Sequence, residues 1–315
     1  MTAWLDALRD HVREFLSEPG VDVFIGYRAG RRGREVPAFL TRPEQASGLV
    51  LGPAASGALA KYVLEEAAGT TGRLGVLARG CEALSLQRLV RDLRVERERL
   101  HVVGVPCAGV ADLAKLEASL GALEKVESCG ERWLVTAGGN RHDVDPSQFM
   151  EERCRDCASP WPQQCNISFG QAVMSPASPD YSTVAALEAL PADERYAFWI
   201  RQFERCLRCF ACRQVCPACS CVECSLDLVD PPWLGREITV PAQAMFHYTR
   251  ALHVAGRCVD CGQCQKVCPV GIPVALLNRK LARDIQELFD VQNPFVPGEI
   301  EPLGKFRAED REEFM

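Results

Sequence analysis

The chain opens with apolar residues at helical spacing. Trp4, Leu5, Leu8, Val12, Phe15 and Leu16 share one face, and Pro19-Gly20 supplies the stop. Val21–Ile25 is short, apolar and β-branched, as a strand is. The pattern then predicts a helix over Ser56–Ala68, a strand over Leu74–Ala78, a helix over Glu82–Leu93 and a strand over His101–Val105. Strand, helix and strand in about thirty residues make the βαβ unit of a parallel sheet. A helix over Asp112–Leu123 and a strand over Trp133–Ala137 continue the alternation. Residues 1–170 therefore read as an α/β domain.

The second half has another rhythm. Ala192–Phe203 and Pro241–Ala255 read as helices, and so does Pro273–Phe289, where Leu276, Leu277, Leu281, Ile285 and Leu288 recur every three or four residues. Strand signals are almost absent, so residues 192–290 are expected to form an α-helical domain. Between the halves, 171–191 reads as a linker because it contains Ser175-Pro176-Ala177-Ser178-Pro179-Asp180. Residues 291–315 read as a tail, with six acidic and three basic residues from Glu299 to Met315.

Composition narrows the function. The 315 residues are 47% hydrophobic and 25% charged, enough to bury a core. A net charge of −6 argues against nucleic acid as a partner. No run of eighteen apolar residues offers direct membrane insertion. The first residues lack the basic, apolar and small-residue sequence of a secretion signal, so a cytoplasmic location is expected. Seventeen cysteines in a reducing compartment are expected to bind metal rather than form disulfides.

Eleven of those cysteines lie within the 63 residues from Cys206 to Cys268. Cys206-x2-Cys209-x2-Cys212-x3-Cys216-Pro217 and Cys258-x2-Cys261-x2-Cys264-x3-Cys268-Pro269 each fit the ferredoxin pattern for a 4Fe–4S cluster. Three close thiolates wrap one cubane, and the fourth points away to complete the other. The expected ligand sets are Cys206, Cys209, Cys212 and Cys268 for one cluster, and Cys258, Cys261, Cys264 and Cys216 for the other. A zinc ribbon uses two C-x2-C pairs rather than two four-cysteine runs. The 41 residues between Cys216 and Cys258, with the helical approach Phe246–Cys258, resemble the α-helical ferredoxin domains of succinate dehydrogenase iron–sulfur subunits and heterodisulfide reductase small subunits. That resemblance spans roughly Arg195 to Phe289.

Three further cysteines, Cys219, Cys221 and Cys224, follow the first run too tightly for simple packing. A further cluster, a zinc site and alternative ligation are all open for them, as is a shielding role. In the first half, Cys107 ends a predicted strand, where ligands of open α/β sheets collect, and Cys154, Cys157 and Cys165 follow. These four are candidates for one more cluster, with Cys81 as an alternative ligand; zinc and core thiols compete.

The segments Ala78-Arg-Gly-Cys81 and Gly104-Val-Pro-Cys107-Ala-Gly, with the later Cys154-x2-Cys157, resemble the beta subunits of deazaflavin-coenzyme-reducing hydrogenase and related formate dehydrogenases. The resemblance covers roughly Leu49 to Gly170. It implies a 4Fe–4S cluster on Cys107, Cys154 and Cys157, with Cys165 as fourth ligand, and a flavin (FAD). Where flavin-binding members have a glycine-rich turn, this chain has Leu51-Gly-Pro-Ala-Ala-Ser-Gly57.

Other chemistry is thin. Gly26-Tyr-Arg-Ala-Gly30-Arg-Arg-Gly33 is not a dinucleotide fingerprint, and the five histidines show no metalloprotease spacing. Arg28, Arg31, Arg32 and Arg34 make a basic loop that fits an acidic partner or solvent. No catalytic residue is expected. The reading is an iron–sulfur electron-transfer subunit of an anaerobic oxidoreductase complex, with hydrogenase, formate dehydrogenase or heterodisulfide reductase-like partner subunits. Its rival is a flavin-containing subunit that exchanges electrons with a soluble carrier.

Overall fold

The opening stripe becomes α1 (Ala3–Ser17), and the β-branched run after Gly20 becomes β1 (Val21–Ala29). The structure is a computed structural model describing residues 3–174, 179–230, 232–235, 237–290 and Leu303. It divides into two units, Met1–Pro179 and Asp180–Met315.

In the first unit the chain continues through β2 (Glu35–Leu40), α2 (Leu59–Gly69), β3 (Arg73–Ala78), α3 (Gly80–Arg91) and β4 (Leu100–Gly104). It then runs through α4 (Leu113–Leu120), β5 (Leu123–Cys129), β6 (Arg132–Ala137), β7 (Asn140–Val144), the short α5 (Pro146–Phe149) and α6 (Glu152–Arg155), and β8 (Ile167–Ser168). The main sheet has the order β2-β1-β3-β4-β8. β1, β3, β4 and β8 run parallel, and β2 closes one edge as an antiparallel hairpin partner of β1. The expected βαβ unit is therefore present, and the Trp133–Ala137 strand belongs elsewhere. As β6 it is the middle of a separate antiparallel sheet, β5-β6-β7.

Buried apolar residues alternate with glycine where elements press together. Phe24, Ile25, Leu74 and Val76 are fully buried, each contributing about 1.5–3 kcal/mol. Gly75 lies between them because any Cβ there falls 2.3 Å from Phe24 and 2.6 Å from Phe15. A side chain at this position would push α1 off the sheet.

The second unit contains α7 (Ser182–Glu188), α8 (Ala192–Glu204), α9 (Ala211–Gln214), α10 (Val240–His253), α11 (Gln263–Lys266) and α12 (Val274–Phe289). Among its described residues there is no strand. α7 falls inside the stretch expected as a linker. Its Val184 is buried, and Glu188 pairs with Lys280 at 2.8 Å and Arg283 at 2.7 Å on α12. Ser175–Ser178 and, apart from Leu303, the acidic tail lie outside the described residues. No described helix is long and apolar enough to cross a membrane.

Candidate metal centres

Each ferredoxin-type run folds into the same local shape. Arg208 and Phe210 have φ of 47° and 60°, and Asp260 and Gly262 have φ of 51° and 62°. Alternating left- and right-handed residues turn successive N–H groups inward, a concavity that suits an anion such as a thiolate-bound cluster. The Arg208 N–H donates to Cys206 Sγ at 3.3 Å. One-turn helices, α9 and α11, then carry the third cysteine of each run, Cys212 and Cys264.

The runs are interleaved. Cys206, Cys209, Cys212 and Cys268 ring one cavity with about 340 Å³ of space between atoms. Cys216, Cys258, Cys261 and Cys264 ring a second of about 360 Å³. Three thiols of one run thus face the fourth of the other at both places. Among the described residues no three His, Cys, Asp or Glu side chains converge tightly enough to hold a single metal ion. Thiolates around a four-iron cubane stand farther apart than ligands around one ion, so this donor arrangement and its inward N–H groups fit a cluster.

Helices α10 and α12 complete the walls. His247 places Nε2 3.3 Å from Cys206 Sγ and stacks on Phe203 with centroids 4.8 Å apart and planes 7° off parallel. Burial, with Arg250 nearby, lowers its pKa to about 4, so the ring is neutral at pH 7. A metal-bound thiolate can only accept, so Nε2 carries the proton toward sulfur. Asn278 Nδ2 lies 3.7 Å from Cys264 Sγ, and the Ile272 N–H donates to Cys268 Sγ at 3.3 Å. Burial pushes the Cys264 thiol up to about 12 and raises Cys206, Cys212 and Cys258. Without iron these groups hold their protons, so metal binding must release them.

In the first unit the candidate cysteines gather at the carboxyl ends of β3 and β4. A Cβ on Gly80 would fall 1.8 Å from the Ser159 carbonyl oxygen, so glycine lets the Cys157–Trp161 segment cross over the start of α3. The Cys107 N–H donates to Pro160 O at 3.1 Å on that segment. The Cys157 thiol accepts from the Ser159 N–H at 3.4 Å. Cys107 helps raise the pKa of both Cys81 and Cys154, after burial, which is the larger cause in each. Cys165 is pushed up to about 11 by burial, against a Ser168 hydrogen bond and the charge of Arg97.

Beside these cysteines lies a buried polar network that the sequence did not reveal. Arg79 Nη2 donates to the Tyr27 hydroxyl at 3.0 Å, and that hydroxyl lies 3.0 Å from both Glu82 Oε1 and Gly57 O. The Leu59 N–H at the start of α2 donates to the same Glu82 oxygen at 3.2 Å. Burial raises the Glu82 pKa against the opposing pull of Arg79. The one clue was Arg79-Gly-Cys-Glu82 directly after a strand. One N–H at the start of α2 is thus taken by a buried carboxylate.

Cys219, Cys221 and Cys224 line a third, open cavity, with about 1050 Å³ of space between atoms, together with Arg213, Arg250, His253 and Arg257.

No family model matches the chain. It is 21% identical to the F420-dependent formate dehydrogenase subunit beta of Methanocaldococcus jannaschii, covering 87% of this chain and 87% of that protein. It is 23% identical to the F420-dependent formate dehydrogenase 1 subunit beta of Methanococcus maripaludis, over 78% of this chain and 79% of that one. A chain of the F420-reducing [NiFe] hydrogenase complex from Methanosarcina barkeri aligns at 17% identity and a TM-score of 0.37, covering 48% of this chain and 58% of its own. The beta-subunit resemblance read from Ala78–Cys81, Gly104–Gly109 and Cys154–Cys157 thus extends, in the curated relatives, along most of the chain.

Proposed function

We propose that the chain is an electron-transfer subunit of an oxidoreductase complex, of the kind formed by formate dehydrogenase and hydrogenase beta subunits. The observation that carries the reading is the interleaving of the two runs, with three thiols of each facing the fourth of the other across equal cavities. When bound, 4Fe–4S clusters supply one-electron transfer. Cys206, Cys209, Cys212 and Cys268 would hold one, and Cys258, Cys261, Cys264 and Cys216 the other. His247 directs an N–H at one sulfur, and Phe203 and Phe246 keep water from that side.

In the first unit, Cys107 and Cys154 with Cys157 would hold a further cluster. Cys165, whose sulfur lies against Gly104 at the end of β4, would be the fourth ligand, with Cys81 as the alternative. No residue of the chain is assigned a catalytic role. The exposed arginines Arg28, Arg31, Arg32 and Arg34 at the β1–β2 turn offer a docking charge for an acidic partner surface.

The test is anaerobic affinity purification of the whole chain from its native host. Recovery with dehydrogenase or hydrogenase subunits, and electron flow through the chain between them, supports the relay. Recovery as a lone flavoprotein that reduces a soluble carrier by itself overturns it.

A further inference from the structure

The cavity at Cys219, Cys221 and Cys224 is not used by the two interleaved clusters. Three thiols and the His253 imidazole line it, a three-sulfur, one-nitrogen donor set. It is roomier than either ferredoxin-type cavity, with about 1050 Å³ of space between atoms. Cation chemistry around it is unusual. Arg250 is 1% exposed, donates once, from Nη2 to Cys212 O at 3.1 Å, and leaves Nε and Nη1 without partners. A buried guanidinium with orphaned donors in a thiol-lined cavity calls for an anionic occupant. Arg213 reinforces it from the rim, held 2.5 Å from Asp227 while also meeting the Cys224 thiol.

Placement adds a second reason. The Cys219 N–H donates to the Cys216 carbonyl oxygen at 3.1 Å, which sets Cys219 beside a proposed ligand of the neighbouring centre. Thiolates of adjacent sites repel unless a fixed positive charge stands beside them, and the buried Arg250 lines the same cavity as Cys219.

We propose that Cys219, Cys221, Cys224 and His253 hold a separate iron–sulfur cluster, with Arg250 neutralising the thiolates between it and the neighbouring centre. The proposal rests on the relay reading only for what the cluster does; its presence is tested independently. A histidine ligand raises the potential of an iron–sulfur centre relative to all-cysteine ligation. This site would then be an electron-accepting end of the row.

The experiment compares the anaerobically purified full chain with its C221S/C224S and His253→Ala variants. The double variant is expected to lose about four iron and four sulfide per chain, with the signals of the interleaved clusters retained. Pulsed electron paramagnetic resonance of the reduced wild type should show an imidazole nitrogen strongly coupled to one centre, absent in His253→Ala. Unchanged iron in the double variant overturns the proposal, as does loss of zinc in place of iron. Should the double variant fail to fold, absence of that nitrogen coupling in the wild type is the contradicting result.

Discussion

Phe210 and Gly262 occupy the same backbone conformation, φ 60° ψ 6° and φ 62° ψ 4°, each just before a one-turn helix that carries the third cysteine of its run. One position is relieved by glycine, and the other is imposed on an aromatic residue. Left-handed geometry costs a residue with a Cβ about 1–2 kcal/mol. The surroundings of Phe210 offset that cost, with Arg213 4.9 Å over its ring and Phe246 packed edge-on. Gly262→Val is therefore expected to weaken retention of the cluster at Cys258, Cys261 and Cys264 and spare the other. Phe210→Gly should keep both clusters and lose packing. Iron loss during gel filtration of each variant checks this.

His247 donates toward Cys206 from a buried, stacked position. Hydrogen bonds to ligand sulfur stabilise the reduced, more negative cluster and raise its potential. Replacement by Phe should lower the potential of the cluster at Cys206, Cys209, Cys212 and Cys268, leaving the other in place. A redox titration monitored by paramagnetic resonance reads this directly; an unchanged pair of potentials excludes the N–H donation.

Much of this was legible in the chain. The cysteine spacing anticipated which thiols line each cavity, because local repeats of three and four residues fix which thiols share a loop. Apolar periodicity carried α1, β3 and α12. It missed β2, whose Pro37 argues against a strand. There β1 is the lone partner in the sheet, and an edge tolerates the missing N–H. It also missed β5, where polar Glu124, Lys125 and Glu127 mask the buried Leu123 and Val126. The Arg79–Tyr27–Glu82 network joins residues far apart in sequence, which periodicity cannot register.

The close passage at Gly80 yields a stability prediction. With the Ser159 carbonyl oxygen 1.8 Å from a new Cβ, Gly80→Ala must displace backbone rather than a flexible side chain. A loss of about 3 kcal/mol is expected, at the upper end for overpacking, together with loss of iron from the first unit. Chemical denaturation with parallel metal analysis tests both.

His11 and His101 face each other with ring nitrogens 2.8 Å apart, beside Phe15. Burial, then His11, lowers the His101 pKa from 6.5 to about 4. The folded state resists a proton that the unfolded chain accepts. Stability is therefore complete above about pH 6.5 and is lost as pH falls toward about 4. Solvent reaches the half-buried ring, so the loss is about 1 kcal/mol. Urea midpoints between pH 7 and pH 4 should fall in the wild type and flatten in His101→Phe.

The interleaved ligation is the centre of the account, and three single variants test it. Cys206→Ser, Cys268→Ser and Cys261→Ser would be purified anaerobically and their reduced spectra compared. Cys268 faces Cys206 across one cavity, whereas Cys261 lines the other. Cys268→Ser and Cys206→Ser are expected to alter the same signal, and Cys261→Ser a different one. A Cys268→Ser spectrum matching that of Cys261→Ser would contradict it.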